Sequence, residues 1–208
     1  LAVDPAGDTV HVVWHDDFLN DGFQAYYTRS TSLGAPGSWW PSAQWFQIST
    51  GPYQKAPRIW LDRAGRPFLK WVDRLGGTEN RIACRWHTGS VWSPVQNWGG
   101  WDVASIEFDE RGIGHLAFVD IFHSPNELYY ATFDAATGQR SAPQLISAGP
   151  DTLKVDAAAM CAYRDGTVFA VWAERKGAWP GVSQLLFSSN YSPGAPPDVS
   201  SLRVEASD

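Results

Sequence analysis

Polar and apolar positions alternate in short runs along this chain, and the runs recur in a fixed order. An apolar strand ends at an Asp-x-x-Gly turn, a second ends in an aromatic, one further residue and an acid, and a third alternating run follows. Ile-Trp-Leu-Asp62-Arg-Ala-Gly65 and Ile-Glu-Phe-Asp109-Glu-Arg-Gly112 align with Leu-Ala-Val-Asp4-Pro-Ala-Gly7; Met-Cys-Ala-Tyr163-Arg-Asp-Gly166 is a weaker fourth copy. The aromatic-x-acid endings are Trp14-His-Asp16, Trp71-Val-Asp73, Phe118-Val-Asp120 and Trp172-Ala-Glu174. The turn glycines are about 58, 47 and 54 residues apart, the period of four-stranded propeller blades.

This pattern predicts an all-β propeller of four antiparallel blades, approximately 1–52, 53–100, 101–152 and 153–208, with 192–208 reading equally well as a linker. Strand A is placed at Leu1–Asp4, Arg58–Asp62, Ser105–Asp109 and Met160–Tyr163. Strand B is placed at Val10–Trp14, Pro67–Trp71, Gly114–Phe118 and Val168–Trp172. Strand C covers Phe23–Arg29, Asn80–Trp86, Glu127–Phe133 and Ser183–Ser188. The short strand D covers Gln47–Ser49, Val95–Trp98, Gln144–Ser147 and Leu202–Glu205. The 152–162 run comes nearest to helical periodicity, but its place in the repeat makes it a strand. The ring can close with four blades, form half of a larger dimeric ring, or belong to a longer propeller. An open array would expose sheet faces that a second copy or further blades would cover.

Composition narrows the picture. Twelve Trp, seven Tyr and ten Phe, against one Met, fit a β-rich core. Sixteen basic and twenty-two acidic residues give a net charge of −6, which argues against nucleic acid as a partner. No apolar run is long enough to enter a membrane as a helix. Cys84 and Cys161 fall on different blades, so the reading is two buried, unbridged thiols. The chain opens at Leu1 inside a strand with no visible leader, which raises the expectation of a fragment or processed chain that is extracellular or on the cell surface.

In an antiparallel blade the A–B and C–D turns share one end, and the B–C and D–A loops share the other. The Asp-x-x-Gly residues Asp4, Asp62 and Asp109 are therefore structural, each capping its own turn. His11 and His115 alternate with Phe68 and Phe169 at one position of strand B, which marks a packing site. The opposite end gathers Asp16, Asp73, Asp120 and Glu174, with Arg74 and Arg175 beside them and the aromatics Tyr53, Trp101 and Trp179 nearby. Acids, Arg and exposed aromatics together suit sugar binding, because rings stack on apolar sugar faces while charged groups bond hydroxyls. The competing reading packs those aromatics between blades and makes Asp73–Arg74 and Glu174–Arg175 ion pairs. Asp16, Asp17 and Asp21, with the Asn20 carbonyl, offer the hard oxygens calcium takes, though a solvated loop has the same composition. No zinc-ligand spacing is present, and no cofactor is expected.

The repeat resembles the sialidase-like propellers with BNR (Asp-box) repeats. The match runs through Asp4-Pro-Ala-Gly-Asp-Thr-Val-His-Val-Val-Trp-His-Asp16, then Ala25-Tyr-Tyr-Thr-Arg-Ser-Thr, Gly37-Ser-Trp-Trp and Gln47-Ile-Ser49. It recurs at Leu128-Tyr-Tyr-Ala-Thr and Gln144-Leu-Ile-Ser. The Asp box itself survives as remnants at Ser30–Trp39 and Thr88–Trp92. The resemblance implies a substrate-carboxylate clamp of three Arg, a Tyr–Glu pair and an Asp acid. Only Arg58, in an Arg-Ile dipeptide, matches any of these. The expected function is thus a non-catalytic recognition propeller for glycan or protein. The alternatives are a fragment of a sialidase-type glycoside hydrolase, needing two carboxyl groups across the scissile bond, or a structural assembly module.

Overall fold

The computed structural model describes residues 1–16, 22–40, 46–47, 54–75, 79–98, 101–120, 127–147, 153–162, 166–176, 182–189 and 204–205. Every element among them is a β-strand, and the strands form four antiparallel sheets. The chain divides into two compact units, Leu1–Gly100 and Trp101–Asp208, each holding two sheets.

In the first unit, the first sheet comprises β1 (Ala2–Val3), β2 (Val10–Asp16), β3 (Gln24–Ser30), β4 (Trp39–Trp40) and β5 (Phe46–Gln47). The second comprises β6 (Gln54–Leu61), β7 (Pro67–Leu75), β8 (Glu79–Trp86) and β9 (Gln96–Asn97). In the second unit, the third sheet comprises β10 (Trp101–Phe108), β11 (Ile113–Asp120), β12 (Leu128–Asp134), β13 (Gln139–Arg140) and β14 (Gln144–Leu145). The fourth comprises β15 (Leu153–Ala162), β16 (Val168–Lys176), β17 (Val182–Ser189) and β18 (Val204–Glu205). Consecutive strands are neighbours in each sheet, except that β5 and β14 pair with β3 and β12 and not with β4 and β13. Leu153–Ala162 of the run nearest to helical periodicity is a strand, as its place in the repeat predicts.

Two features were not legible in the sequence. The outer edge is split in the first and third sheets, where β3 pairs with both β4 and β5, and β12 with both β13 and β14. The first strands of sheets two, three and four also carry a register shift near their beginnings, at Lys55/Arg58, Val103/Ser105 and Val155/Ala157. A bulge bends a strand and leaves a residue unpaired. Pro57, which has no N–H to give, falls inside the first of these shifts, where its missing donor is least costly.

Period-two alternation sorts each strand onto two faces, and both units use those faces alike. In the first unit, Ala25 and Tyr27 of the first sheet form one buried cluster with Ile59, Leu69, Trp71 and Ala83 of the second. In the second unit, Ala117, Val119 and Leu128 of the third sheet cluster with Met160, Val168, Ala170 and Trp172 of the fourth. The aromatic that ends strand B (Trp71, Trp172) thus packs on the preceding sheet. Cys84 is buried as expected. Cys161 is exposed, correcting the expectation of two buried thiols. It lies one residue from core Met160 on β15, and alternation turns it to the other face.

The Asp-x-x-Gly turns close as predicted. Asp4 Oδ1 accepts from the backbone N–H groups of Gly7, Asp8 and Thr9. Asp62 Oδ1 accepts from Ala64 and Arg66, and Asp109 Oδ1 from Arg111 and Ile113. Gly65 has φ +72°, and a Cβ there would meet Asp4 Cβ at 3.2 Å, so the turn of the second sheet nests against that of the first. Gly166 (φ +87°) is nested in the same way, against the Arg111 guanidinium of the preceding turn.

Gly65→Ala therefore meets both an unfavourable φ and a crowded neighbour, whereas Gly7→Ala (φ +84°) meets only the first, having nothing within 4 Å. Both variants should lose about 1 kcal/mol from the backbone. Gly65→Ala should lose on the order of 1 kcal/mol more from overpacking, read as a lower urea midpoint at unchanged slope.

Candidate functional site

The strand-B acids occupy equivalent places near the ends of β2, β7, β11 and β16, away from the Asp-x-x-Gly turns. Each lies two residues beyond the strand-B aromatic and so shares its face. For Asp73 and Glu174 that face packs on the neighbouring sheet, so these acids belong to the seams between sheets and do not stand on a free rim.

Their partners are local. The Gln54 amide donates from Nε2 to Asp73 Oδ1 at 2.6 Å, and the two residues are register partners across β6 and β7. Gln54 is itself buried, and its backbone N–H donates to the Phe23 carbonyl of the first sheet at 2.5 Å, tying the seam at this end. Glu174, 3 % exposed, accepts from the Trp172 indole Nε1–H at 2.8 Å. Asp16 is exposed and pairs in register with buried Gln24. Asp120 and Trp101 are direct register partners across β10 and β11, the one pair of predicted site residues that the strand pairing places side by side among the described residues. Arg74 and Arg175 follow Asp73 and Glu174 on β7 and β16; only the backbone is described for these two and for Trp101 and Asp120. Tyr53, Trp179, Asp17, Asn20 and Asp21 lie outside the described residues. Among the described side chains, Asp73 stands beside an amide and Glu174 beside an indole, and Gln24 and Gln54 were missed in the sequence. Their signal is positional: each is the register partner of a strand-B acid.

At the opposite end, the two histidines are buried packing residues, 2 % exposed for His11 and 3 % for His115. They also carry hydrogen bonds that the His/Phe alternation did not reveal. Tyr27 Oη lies 2.8 Å from His11 Nδ1, and Tyr130 Oη lies 2.8 Å from His115 Nδ1. His115 Nε2 lies 3.4 Å from Asp109 Oδ2, which also takes two bonds from the Arg111 guanidinium at 2.8 and 2.6 Å. Since Asp109 can only accept, His115 carries its proton on Nε2 and the Tyr130 hydroxyl donates to Nδ1. Burial pushes the Asp109 carboxyl up, but its bonds from Arg111 and from the Ile113 N–H outweigh that and hold it below the usual carboxylate range. Burial lowers both histidines; His11, with the nearby Arg29 charge acting in the same direction, falls to about 4.

No protein-family model and no curated protein sequence matches the chain. Its fold resembles that of a polysaccharide lyase, with TM-score 0.56 and 12 % identity over 90 % of this chain and 56 % of that one. It also resembles an ulvanlyase from a new polysaccharide lyase family, with TM-score 0.56 and 10 % identity over 97 % and 56 %. An endo-arabinase from Bacteroides thetaiotaomicron aligns with TM-score 0.52 and 16 % identity over 90 % and 72 %. At these identities the likeness is one of fold, and the chain spans 56 % of the length of either lyase.

Glu174→Gln keeps an acceptor for the Trp172 indole, whereas Glu174→Leu leaves that N–H buried and unpaired; the Leu variant should be about 1–3 kcal/mol less stable than the Gln variant in urea unfolding. A folded-state value of about 4 for His11, against 6.5 when unfolded, means the unfolded chain binds the extra proton between those values. The stability linked to neutral His11 is fully present above pH 6.5 and is lost as pH falls through 4, a span on the order of 3 kcal/mol. His11→Phe should flatten the dependence of Tm on pH across this window relative to the parent.

Proposed function

We propose that the four sheets are successive blades of a β-propeller and that the chain recognises a polysaccharide through the loop end bearing the strand-B acids. The observation that carries this reading is the placement of the strand-B acids at one end of the sheets, away from the Asp-x-x-Gly turns. Asp120 is in register with Trp101 there and Asp16 is exposed at the end of β2, while Asp73 with Gln54 and Glu174 with Trp172 brace the seams behind them. Carboxylate and amide groups bond sugar hydroxyls, and indole faces stack on the apolar side of a sugar ring. Asp16, Arg74, Arg175, Tyr53 and Trp179 complete the proposed surface. The fold likeness to two polysaccharide lyases and an endo-arabinase supports a glycan ligand over a protein one. The same likeness favours, as a second reading, that the chain is part of an enzyme that degrades a polysaccharide. A sialidase-type activity has no such support. Polysaccharide recognition fits an extracellular or cell-surface setting, and further blades or a second copy would complete an open ring.

Binding of the chain to an array of acidic and neutral plant, algal and host polysaccharides tests the reading. One class should bind, with Kd raised at least tenfold by Trp101→Ala, Trp179→Ala or Asp120→Asn. Binding that all three variants leave intact refutes the proposed surface. Loss of polymer length on incubation with the pure chain would select the enzymatic reading instead.

A further inference from the structure

The two histidine sites are built alike and finished differently. Both sit three residues before the strand-B aromatic, and both bond a tyrosine one diagonal step away on the neighbouring strand. In the second unit, His115 Nε2 meets the Asp109 carboxylate. In the first, the turn between Asp4 and His11 is one residue longer. Asp4 lies seven positions before its histidine and Asp109 six, and the register partners Val3↔Val10 and Phe108↔Gly114 enclose six and five residues. The extra residue sits in the turn, and the bonds of Asp4 Oδ1 go to the backbone N–H groups of Gly7, Asp8 and Thr9. His11 Nε2 is left buried with no hydrogen-bond partner.

A second unpartnered nitrogen lies on the neighbouring strand. Arg29 is the direct register partner of His11 across β2 and β3, and its Nε is likewise buried without an acceptor. Its guanidinium lies over the Trp40 ring at 5.3 Å, with Trp40 44 % exposed, so this end of the seam opens toward solvent. Among the described residues no ion pair engages Arg29. Arg66 is bound to Asp62, and Arg85 donates to the Ser93 carbonyl. His87 feels Arg29 and Arg66 as positive neighbours, and the Asp4 carboxylate, whose charge His11 also feels, gives Oδ1 to its own turn without bonding the ring. Burying two ring or guanidinium nitrogens without a partner costs roughly 1–3 kcal/mol each, which an acceptor would recover once the Tyr27 hydroxyl donates to Nδ1 and leaves the His11 proton on Nε2.

We propose that His11 and Arg29 form a binding site for a small oxyanion, a carboxylate before all others, seated where the Asp109 carboxylate sits in the second unit. The anion accepts from His11 Nε2–H and Arg29 Nε–H, with Tyr27 Oη–H donating to Nδ1 to hold the ring in that tautomer. The site lies at the Asp-x-x-Gly end of the first unit, away from the surface proposed for polysaccharide, and does not depend on that assignment. The carboxylate can be a free ion or the acid group of a uronic sugar.

The test uses the whole chain with ¹⁵N-labelled histidine at pH 7.5, titrated with sodium acetate, sodium glucuronate or glucose, with chloride holding ionic strength constant. Acetate and glucuronate should each move the His11 Nε2 resonance and leave that of His115, already held by Asp109, in place. At about ten times Kd, Tm should rise by about 3–5 °C; glucose should do neither. Tighter binding of glucuronate than of acetate assigns the site to an acidic sugar, and equal binding to any small carboxylate. Arg29→Met, which keeps the stem that packs near Trp40, should abolish both responses. An unmoved His11 resonance, a response that survives in Arg29→Met, or an equal shift at His115 overturns the proposal.

Discussion

Face-to-face stacking of neighbouring sheets within each unit sets the position of every chemically interesting group. A four-stranded meander cannot bury its apolar face alone, so one sheet must lie on the next. The contact is between unlike faces. The preceding sheet presents its strand-C aromatic and the histidine bonded to it, and the following sheet presents the aromatic that ends strand B. Since alternation puts residues two apart on one face, a strand-B acid is carried into the same seam as its aromatic. Packing thus decides that Asp73 and Glu174 face a neighbouring sheet, where each has an amide or indole donor.

The Asp-x-x-Gly turns close the other end of the seam by the same logic. Glycine at Gly65 answers two demands, a left-handed backbone and a neighbouring turn that leaves no room for a methyl group. Gly166 shares the left-handed backbone, but its neighbour is the flexible end of the Arg111 side chain. The aspartates cap their turns with backbone N–H bonds, and only Asp109 also reaches its histidine. One inserted residue separates a closed Asp–His–Tyr chain in the second unit from an open His–Tyr pair in the first. A length change too small to disturb the sheets redistributes the hydrogen bonds of a buried ring.

Repetition also explains why the fold was easier to read than the site. Residues serving the repeat recur: the turn Asp and Gly, the strand-B aromatic, and the His or Phe three residues before it. Gln54, which meets Asp73, and Gln24, opposite Asp16, come from strands A and C and have no counterpart motif. Their role appears only when register places them across from an acid. Arg29 is similar, one basic residue in an alternating run until pairing with His11 puts it beside a ring without an acceptor.

The amino-acid order alone determined the all-β class, the repeated antiparallel units and the turns, because period-two alternation and Asp-x-x-Gly chemistry act over a few residues. It also determined that histidine at the repeated position is buried, since phenylalanine stands there in the other units. Only the tertiary structure decided the split outer strands, the bulges near the starts of β6, β10 and β15, the exposure of Cys161, and which donors lack acceptors. Those depend on which sheet face meets which, and on hydrogen bonds between residues distant in sequence, where a shift of one position changes the partner.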